Sequence, residues 1–195
     1  MAVTKGKCSY CNKVFAKSGM WKHLETCKER KSVLQKVSQG EKKKGARCFH
    51  LLVDAKIYWM HIEIPVTATL KDLDKFLRDT WLECCGHMSG FRIKGETYMS
   101  YPESGDKDMA CKLSSVINFE EFSHEYDFGS TTELRLRVLS EYEGEVRGKS
   151  VKILARNEPQ GSYVISVIKK EPAESAVPAA LSAEIVRKNM NVEKK

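Results

Sequence analysis

Apolar and polar residues alternate along two neighbouring stretches, CFHLLVDA (48–55) and IYWMHIEIPV (57–66). The residues that share a face are Phe49, Leu51 and Val53 in the first stretch and Tyr58, Met60, Ile62 and Ile64 in the second. Alternation with a period of two is typical of half-buried β-strands. Because only one residue separates the two stretches, we expect them to form a β-hairpin.

Helical spacing replaces the alternation after residue 68. Thr69 and Asp72 are placed as the N-cap and the third helical position of a capping motif. Apolar residues then follow at intervals of three or four, namely Leu70, Leu73, Phe76, Leu77 and Trp81. This spacing predicts a helix that begins after Thr69 and buries one face.

Alternating segments return after this helix. They are GFRIKGETYM (90–99), FSHEYDFG (122–129), ELRLRVLSEY (133–142) and SVKILAR (150–156). Two strands, a helix and further strands predict an α+β fold, with one main helix packed on a mixed β-sheet. Among such folds we favour a β-grasp-like arrangement.

Composition divides the chain into four segments. A polar, basic stretch with Gly40 and Gly45 follows the first thirty residues, and the last stretch is poor in large apolar side chains. The predicted segments are a zinc finger at 1–30, a basic linker at 31–46, an α+β domain at 47–158, and a mostly disordered tail with a short helix at 159–195.

Composition also limits where the protein acts. No apolar run approaches the roughly 20 residues that span a bilayer, so we expect no membrane partner. The start, MAVTKGKCSYC, has no apolar stretch typical of a secretory signal, which favours a cytoplasmic location. Seven cysteines, an odd number, then indicate reduced thiols, some of them metal ligands.

The stretch CSYCNKVFAKSGMWKHLETC (8–27) has the spacing of a metal site. Two residues separate Cys8 from Cys11, so one tight turn can present both thiolates. Three residues separate His23 from Cys27, which places them one helical turn apart. Three thiolates and one imidazole suit tetrahedral zinc, so we predict one structural Zn²⁺. The alternative is a loop in which four potential ligands coincide by chance.

Two apolar residues support the metal prediction. Phe15 and Met20 stand where ββα fingers cover their metal. So short a segment cannot fold by burial of apolar surface alone. We therefore expect the metal to supply most of its stability.

Charge is distributed unevenly along the chain, whose formal net charge is +7. Residues 1–47 contain 13 Lys and Arg against 3 Asp and Glu, whereas residues 48–158 contain 14 against 19. This asymmetry favours an anionic partner for the N-terminal head. The candidate phosphate contacts are Lys13, Lys17, Lys22, Lys28, Arg30 and Lys31. The alternative is that these cations only keep a small domain solvated. A lone finger reads only ~3 base pairs, so we do not expect sequence-specific binding from this segment alone.

The body offers a weaker set of catalytic candidates. Asp127, His124, His87 and Glu125 could bind a divalent metal or act as acid and base. Alternation, however, places His124 and Asp127 on opposite faces of one strand. The structural alternative is that Asp127 accepts hydrogen bonds from turn amides near Gly129, and that His87 caps a helix or packs in the core.

An ordered set of residues in the body resembles a known family. The set is Trp81, His87, Phe91, Tyr126-Asp127-Phe128-Gly129 and ILARNEP at 153–159. It is similar to the plasmid pRiA4b ORF-3-like family of insertion-element passenger proteins. The resemblance implies an α+β domain and an association with mobile elements, but no activity. The chain departs from the family's commoner Asp, Trp and His pattern, since Ser130, Thr132 and Leu134 occupy those places.

Three functions follow from these observations. The first is a zinc-finger-bearing binding protein that contacts nucleic acid through its head while its body docks a protein. The second is a metal-dependent hydrolase or nuclease that uses the Asp127 region, although no complete catalytic constellation is present. The third is a pure protein–protein adaptor. A kinase is excluded because no glycine-rich loop or catalytic loop accompanies the triplet at Asp127.

Overall fold

The structure is a computed structural model that describes residues 4–39, 46–82 and 86–157. The predicted tail at 159–195 lies outside the described residues. The elements are β1 Lys5–Cys8, β2 Val14–Ala16, α1 Lys17–Thr26, α2 Lys28–Gln39, β3 Ala46–Ala55, β4 Tyr58–Pro65, α3 Leu70–Trp81, β5 Ser89–Ile93, β6 Glu96–Met99, β7 Lys107–Asp108, α4 Leu113–Val116, β8 Glu121–Tyr126, β9 Thr132–Gly144 and β10 Lys152–Arg156. None of these helices has the length and apolar character needed to cross a membrane.

The ten strands of the described residues belong to one mixed sheet in the order β2-β1-β10-β4-β3-β9-β8-β5-β6-β7. Neighbouring strands are antiparallel except for β6 and β7, which are parallel. The predicted α+β class is therefore confirmed. A β-grasp topology is not confirmed, nor is a single main helix, since four helices occur in the described part of the chain.

The predicted hairpin is formed by β3 and β4. Leu51 lies opposite Ile62 and Val53 opposite Met60, and these four side chains are fully buried in the main core. Lys56 adopts a left-handed conformation with φ 61° in the tight turn between the strands. The period-two pattern thus predicted both the pairing and the core-facing side of these strands.

The predicted helix is α3. The Thr69 side chain accepts a hydrogen bond from the Asp72 amide, and the Asp72 carboxylate accepts one from the Thr69 amide at 2.9 Å. This reciprocal capping box fixes the start of the helix. The apolar side of the helix packs on the sheet through Leu70, Leu73, Leu77 and Trp81.

The opposite face of the sheet is covered by the N-terminal helices. Trp59 and Leu52 alternate with the core-facing residues of β4 and β3, and they contact a second apolar cluster that includes Met20 and Leu24 of α1. The fold therefore has three layers, with α3 on one face and the N-terminal segment on the other. Residues 31–39 of the expected linker belong to α2, while 40–45 lie outside the described residues.

Candidate metal centre

The first two ligands lie on a turn that follows β1. Cys8 ends β1, and its carbonyl accepts a hydrogen bond from the amide of Asn12 at 2.9 Å. The amide of Cys8 donates to the carbonyl of Lys13 at 3.0 Å, and Asn12 adopts a left-handed φ of 60°. Asn tolerates this conformation better than most residues. The turn places the thiols of Cys8 and Cys11 on one side, as their spacing predicts.

The other two ligands come from α1. His23 is in the last turn of this helix, and Cys27 follows its final residue. The four ligand atoms of Cys8, Cys11, His23 and Cys27 all lie within 4.8 Å of one another. The prediction that these residues are close enough to hold one metal ion is confirmed.

Soft sulfur and imidazole donors in a set of four are compatible with Zn²⁺. Burial raises the pKa of the Cys27 thiol to about 11, and a hydrogen bond from this thiol to Glu29 also favours the protonated form. Burial lowers the pKa of His23, which keeps its imidazole neutral. A metal ion binding here must therefore displace a proton from Cys27, whereas His23 is ready to coordinate.

The environment of His23 also fits coordination. The ring of Phe15 stacks on the His23 imidazole with centroids 4.0 Å apart and planes inclined by 21°. His23 Nε2 lies 3.2 Å from Cys11 Sγ. Stacking restricts the imidazole orientation, so less entropy is lost when it binds a metal. Met20, the second expected covering residue, is fully buried in the cluster beneath α1.

The finger is hydrogen-bonded to the body as part of the same sheet. β1 pairs with β10, and both the amide and the hydroxyl of Ser9 donate to the carbonyl of Leu154, at 2.9 and 2.7 Å. Gly6 lies so close to Trp59 and the Arg156 carbonyl that a Cβ would approach them to 2.4 and 2.6 Å. This close approach requires glycine and fixes the finger on the sheet.

Polar contacts extend the same attachment. The hydroxyl of Tyr10 donates to Glu145 at 2.7 Å, and the ammonium of Lys152 contacts the same carboxylate oxygen at 2.5 Å. Lys152 also lies over the Tyr10 ring, 4.5 Å from its centroid. Burial and the adjacent Glu145 raise the pKa of Tyr10, so its hydroxyl stays protonated as the donor.

Arg30 requires a correction as a predicted phosphate contact. It is only 6% exposed, and its guanidinium donates to the Leu24 carbonyl at 2.9 Å. Its central carbon lies 4.7 Å from the centroid of the Tyr142 ring. The aromatic ring and the carbonyl bind this cation inside the protein, where it cannot meet a phosphate in this arrangement. Charge alone did not reveal that α2 turns Arg30 inward.

The lysines of the predicted set differ in accessibility. Lys13, Lys22, Lys28 and Lys31 are exposed. Lys17, by contrast, is half-buried and forms an ion pair with Asp54 on the sheet. Four of the six predicted basic residues are therefore available to an anionic partner without rearrangement.

The catalytic candidates of the body lie in different environments. His124 is fully buried, and its Nε2 lies 2.7 Å from a carboxylate oxygen of Asp74 on α3. The carboxylate of Asp127 instead accepts hydrogen bonds from the amides of Gly129 and Ser130, at 3.2 and 3.4 Å. His87 is exposed, with its ring edge-on to Tyr126.

Asp127 therefore shows the turn role given as its structural alternative. His124 contacts Asp74 of α3, a partner that the alternation did not identify, although it did predict that His124 and Asp127 diverge. His87 is exposed and is therefore not the core residue given as one of its structural alternatives, whereas its role as a helix cap stays a prediction.

Among the buried polar residues that the sequence analysis did not identify, a histidine pair and a glutamate lie on β3 and β4. His50 and His61 contact each other across β3 and β4, with Nε2 and Nδ1 2.9 Å apart. Glu63 is fully buried and accepts hydrogen bonds from the Tyr142 hydroxyl and from the amides of Glu145 and Val146. They occupy the alternate positions of strands predicted to be half-buried. The sequence signal that could have indicated their burial was the density of apolar residues around them. In the structure β4 is buried on both faces.

Comparisons with known proteins do not assign this chain to a family. No protein-family model and no curated protein matches the chain. The crystal structure of a protein of unknown function, MM3350 from Methanosarcina mazei Go1, is similar with 20% sequence identity and a TM-score of 0.45. The similarity covers 53% of this chain and 66% of that chain. The resemblance to the pRiA4b ORF-3-like family stays a prediction.

Proposed function

We propose that this protein is a zinc-stabilised nucleic-acid-binding protein that contacts the phosphate backbone through the outer surface of its finger. The observation that carries the proposal is the exposed charge of residues 4–39. Seven lysines are exposed there against two glutamates. We call the exposed lysines of the predicted set, Lys13, Lys22, Lys28 and Lys31, the lysine surface. Such a surface neutralises phosphates and releases condensed counterions.

The attachment of the finger limits how it can bind. Met20 and Leu24, on the inner side of α1, are fully buried against the sheet. Only the outer side of α1 can therefore approach a ligand, and it cannot enter a major groove as freely as a tethered finger. This geometry favours contacts to phosphates over reading of base edges. We expect affinity with little sequence preference from the lysine surface.

The hydrolase alternative is less well supported by the geometry. The carboxylate of Asp127 already accepts hydrogen bonds from Gly129 and Ser130. His124, one of its predicted partners, is bound to Asp74 in the core. A catalytic role for Asp127 would require it to give up turn contacts. A binding role for the finger requires no such change.

The test is fluorescence anisotropy of a 20-base-pair duplex with the full chain over a range of salt concentrations. Truncation is unsuitable because removal of the finger would uncover Trp59 and its neighbours. The test variant is Lys13→Gln/Lys22→Gln/Lys28→Gln, and the control is Lys71→Gln/Lys75→Gln/Lys112→Gln. The control lysines are also exposed, and they lie outside the finger.

The proposal predicts a specific difference between these two variants. The finger variant should bind more weakly, and its salt slope should fall by about 0.9 for each phosphate that the replaced lysines neutralise in the wild type. The control variant should keep the wild-type slope, although its net charge falls equally. Equal weakening of both variants would show that only the overall charge matters. Absence of binding at low salt by the wild type would refute the function.

A further inference from the structure

A groove of about 430 Å³ separates α1 from the exposed part of the sheet. Its wall on the finger side carries Trp21 and Lys17. Its sheet side is formed by β3, β4 and β9, together with the turn between β3 and β4. The residues used below to define the groove are Lys17, Trp21, Leu52, Ile57, His61 and Arg137. The volume is within the range of ligand-binding pockets, ~300–1,000 Å³.

The groove combines an aromatic ring with apolar walls. Trp21 is 38% exposed and Ile57 50% exposed, although both are large apolar side chains. Trp59 and Trp81 are by contrast almost fully buried in the cores. An exposed indole beside apolar side chains is a surface on which a planar ring can stack.

Cations surround this apolar surface. Arg137 is exposed on β9 and forms no ion pair with any residue that the structure describes. Lys56 stands in the β3–β4 turn and also lines the groove. Lys17 lines it as well, but its charge is shared with Asp54. The arrangement favours a ligand that joins a planar ring to negative charge.

His61 supplies a polar atom at the floor of the groove. It is 1% exposed, and its Nδ1 is occupied by His50. Its Nε2 has no hydrogen-bond partner within the described part of the chain. A buried polar atom without a partner is costly, and a ligand with a donor or acceptor edge would satisfy it.

We propose that this groove binds one unpaired base of a single-stranded nucleic acid. The base stacks on Trp21 with its edge toward His61, and the flanking phosphates contact Arg137 and Lys56. A base within a duplex has no free face for Trp21, so the groove selects single strands. This inference rests on the proposed function and adds a ligand class and a site to it.

The experiment compares a ten-nucleotide oligouridylate with a 20-base-pair duplex, both bound to the full chain and followed by anisotropy. Trp21→Ala should weaken binding of the oligouridylate about tenfold. Trp21→Phe should restore part of the affinity because it keeps an aromatic face. Duplex binding should stay unchanged in both variants. Circular dichroism and zinc content establish that each variant folds.

A second pair of variants tests the phosphate contact. Arg137→Gln should reduce the salt slope for the oligouridylate by about 0.7. Arg135→Gln is the control, since Arg135 is exposed on the same face of β9 but is paired with Glu133 and does not line the groove. Its slope should equal that of the wild type.

The outcomes separate this inference from the function on which it rests. If Trp21→Ala and Arg137→Gln bind the oligouridylate as the wild type does, while the Lys13, Lys22 and Lys28 variant binds more weakly, the groove is refuted and the lysine surface stands. If the wild type binds neither nucleic acid at low salt, both proposals are refuted.

Discussion

The imidazoles of His50 and His61 lie 2.9 Å apart, Nε2 to Nδ1, on the sheet face that carries the finger. Both residues are at most 1% exposed. Burial lowers the pKa of His50 well below its usual value and that of His61 to about 3. The neighbouring His61 lowers the pKa of His50 further, and the Lys17 ammonium lowers the pKa of His61 further. The pair is therefore neutral in the folded protein.

This pair predicts a decrease in stability in mild acid. The unfolded histidines titrate near pH 6.5, whereas the folded pair resists protonation, so the unfolded state binds more protons below that pH. The contribution of the pair to the free energy of unfolding is complete above pH 6.5. At lower pH it decreases by about 1.4 kcal/mol per pH unit for each histidine. Urea unfolding at pH 7.5 and 5.5 measures the change.

A double variant, His50→Gln/His61→Gln, isolates the contribution of the pair to this pH dependence. Acid also protonates metal ligands such as His23, but that contribution remains in the double variant. The wild type should therefore lose more stability than the variant between the two pH values. Equal decreases would show that the buried pair does not titrate on unfolding.

Removal of one metal ligand should affect the body as well as the finger. We expect Cys8→Ser to lower the zinc content from one ion per chain, measured by elemental analysis. Because α1 covers Trp59, the emission of this fully buried indole should shift to longer wavelength. Cys111→Ser is the control, since Cys111 lies outside the ligand cluster. Unchanged zinc content in Cys8→Ser would contradict the assignment.

Two glycines of the finger test its attachment to the sheet. Gly6→Ala places a Cβ 2.6 Å from the carbonyl oxygen of Arg156, so we expect destabilisation by about 1–3 kcal/mol. Gly19→Ala, in α1, meets no atom within 4 Å and should stabilise the helix by roughly 0.5–1 kcal/mol. Chemical denaturation measures both. Similar effects of the two changes would argue against β1–β10 pairing.

The Asp74–His124 contact should be strongly coupled. His124→Ala leaves the carboxylate of Asp74, which is 6% exposed, without its main partner. We expect destabilisation by about 3 kcal/mol, and a smaller added effect when Asp74→Ala is combined with it. A double-mutant cycle in urea gives the coupling energy. Additive effects would mean that the interaction contributes little.

Asp127→Asn should change stability by less than about 0.5 kcal/mol. Asparagine can accept the same turn hydrogen bonds and tolerates the left-handed φ of 57° at this position. Asp127→Ala removes these bonds and should cost about 1 kcal/mol. The same urea titration distinguishes the two. Strong destabilisation by Asp127→Asn would indicate that the charge itself is needed.

Several features of this protein were determined by the sequence within short distances along the chain. The β3–β4 hairpin and the start of α3 follow from periodicity and from the Thr69–Asp72 capping pair. One turn brings the ligands Cys8 and Cys11 together, and α1 with the residue after it brings His23 and Cys27 together. Each of these predictions depends on neighbours that the backbone itself brings together. Local spacing was therefore sufficient for them.

Only the tertiary structure decided how the finger is used. The pairing of Cys8 with Ala155 joins strands separated by almost the whole described chain. It brings α1 and α2 over the sheet, which turns Arg30 inward and buries His50 and His61. No spacing rule predicts such contacts, because burial depends on the element that covers a face and not on the residues within it. Alternation indicated two faces, but long-range pairing determined that both are covered.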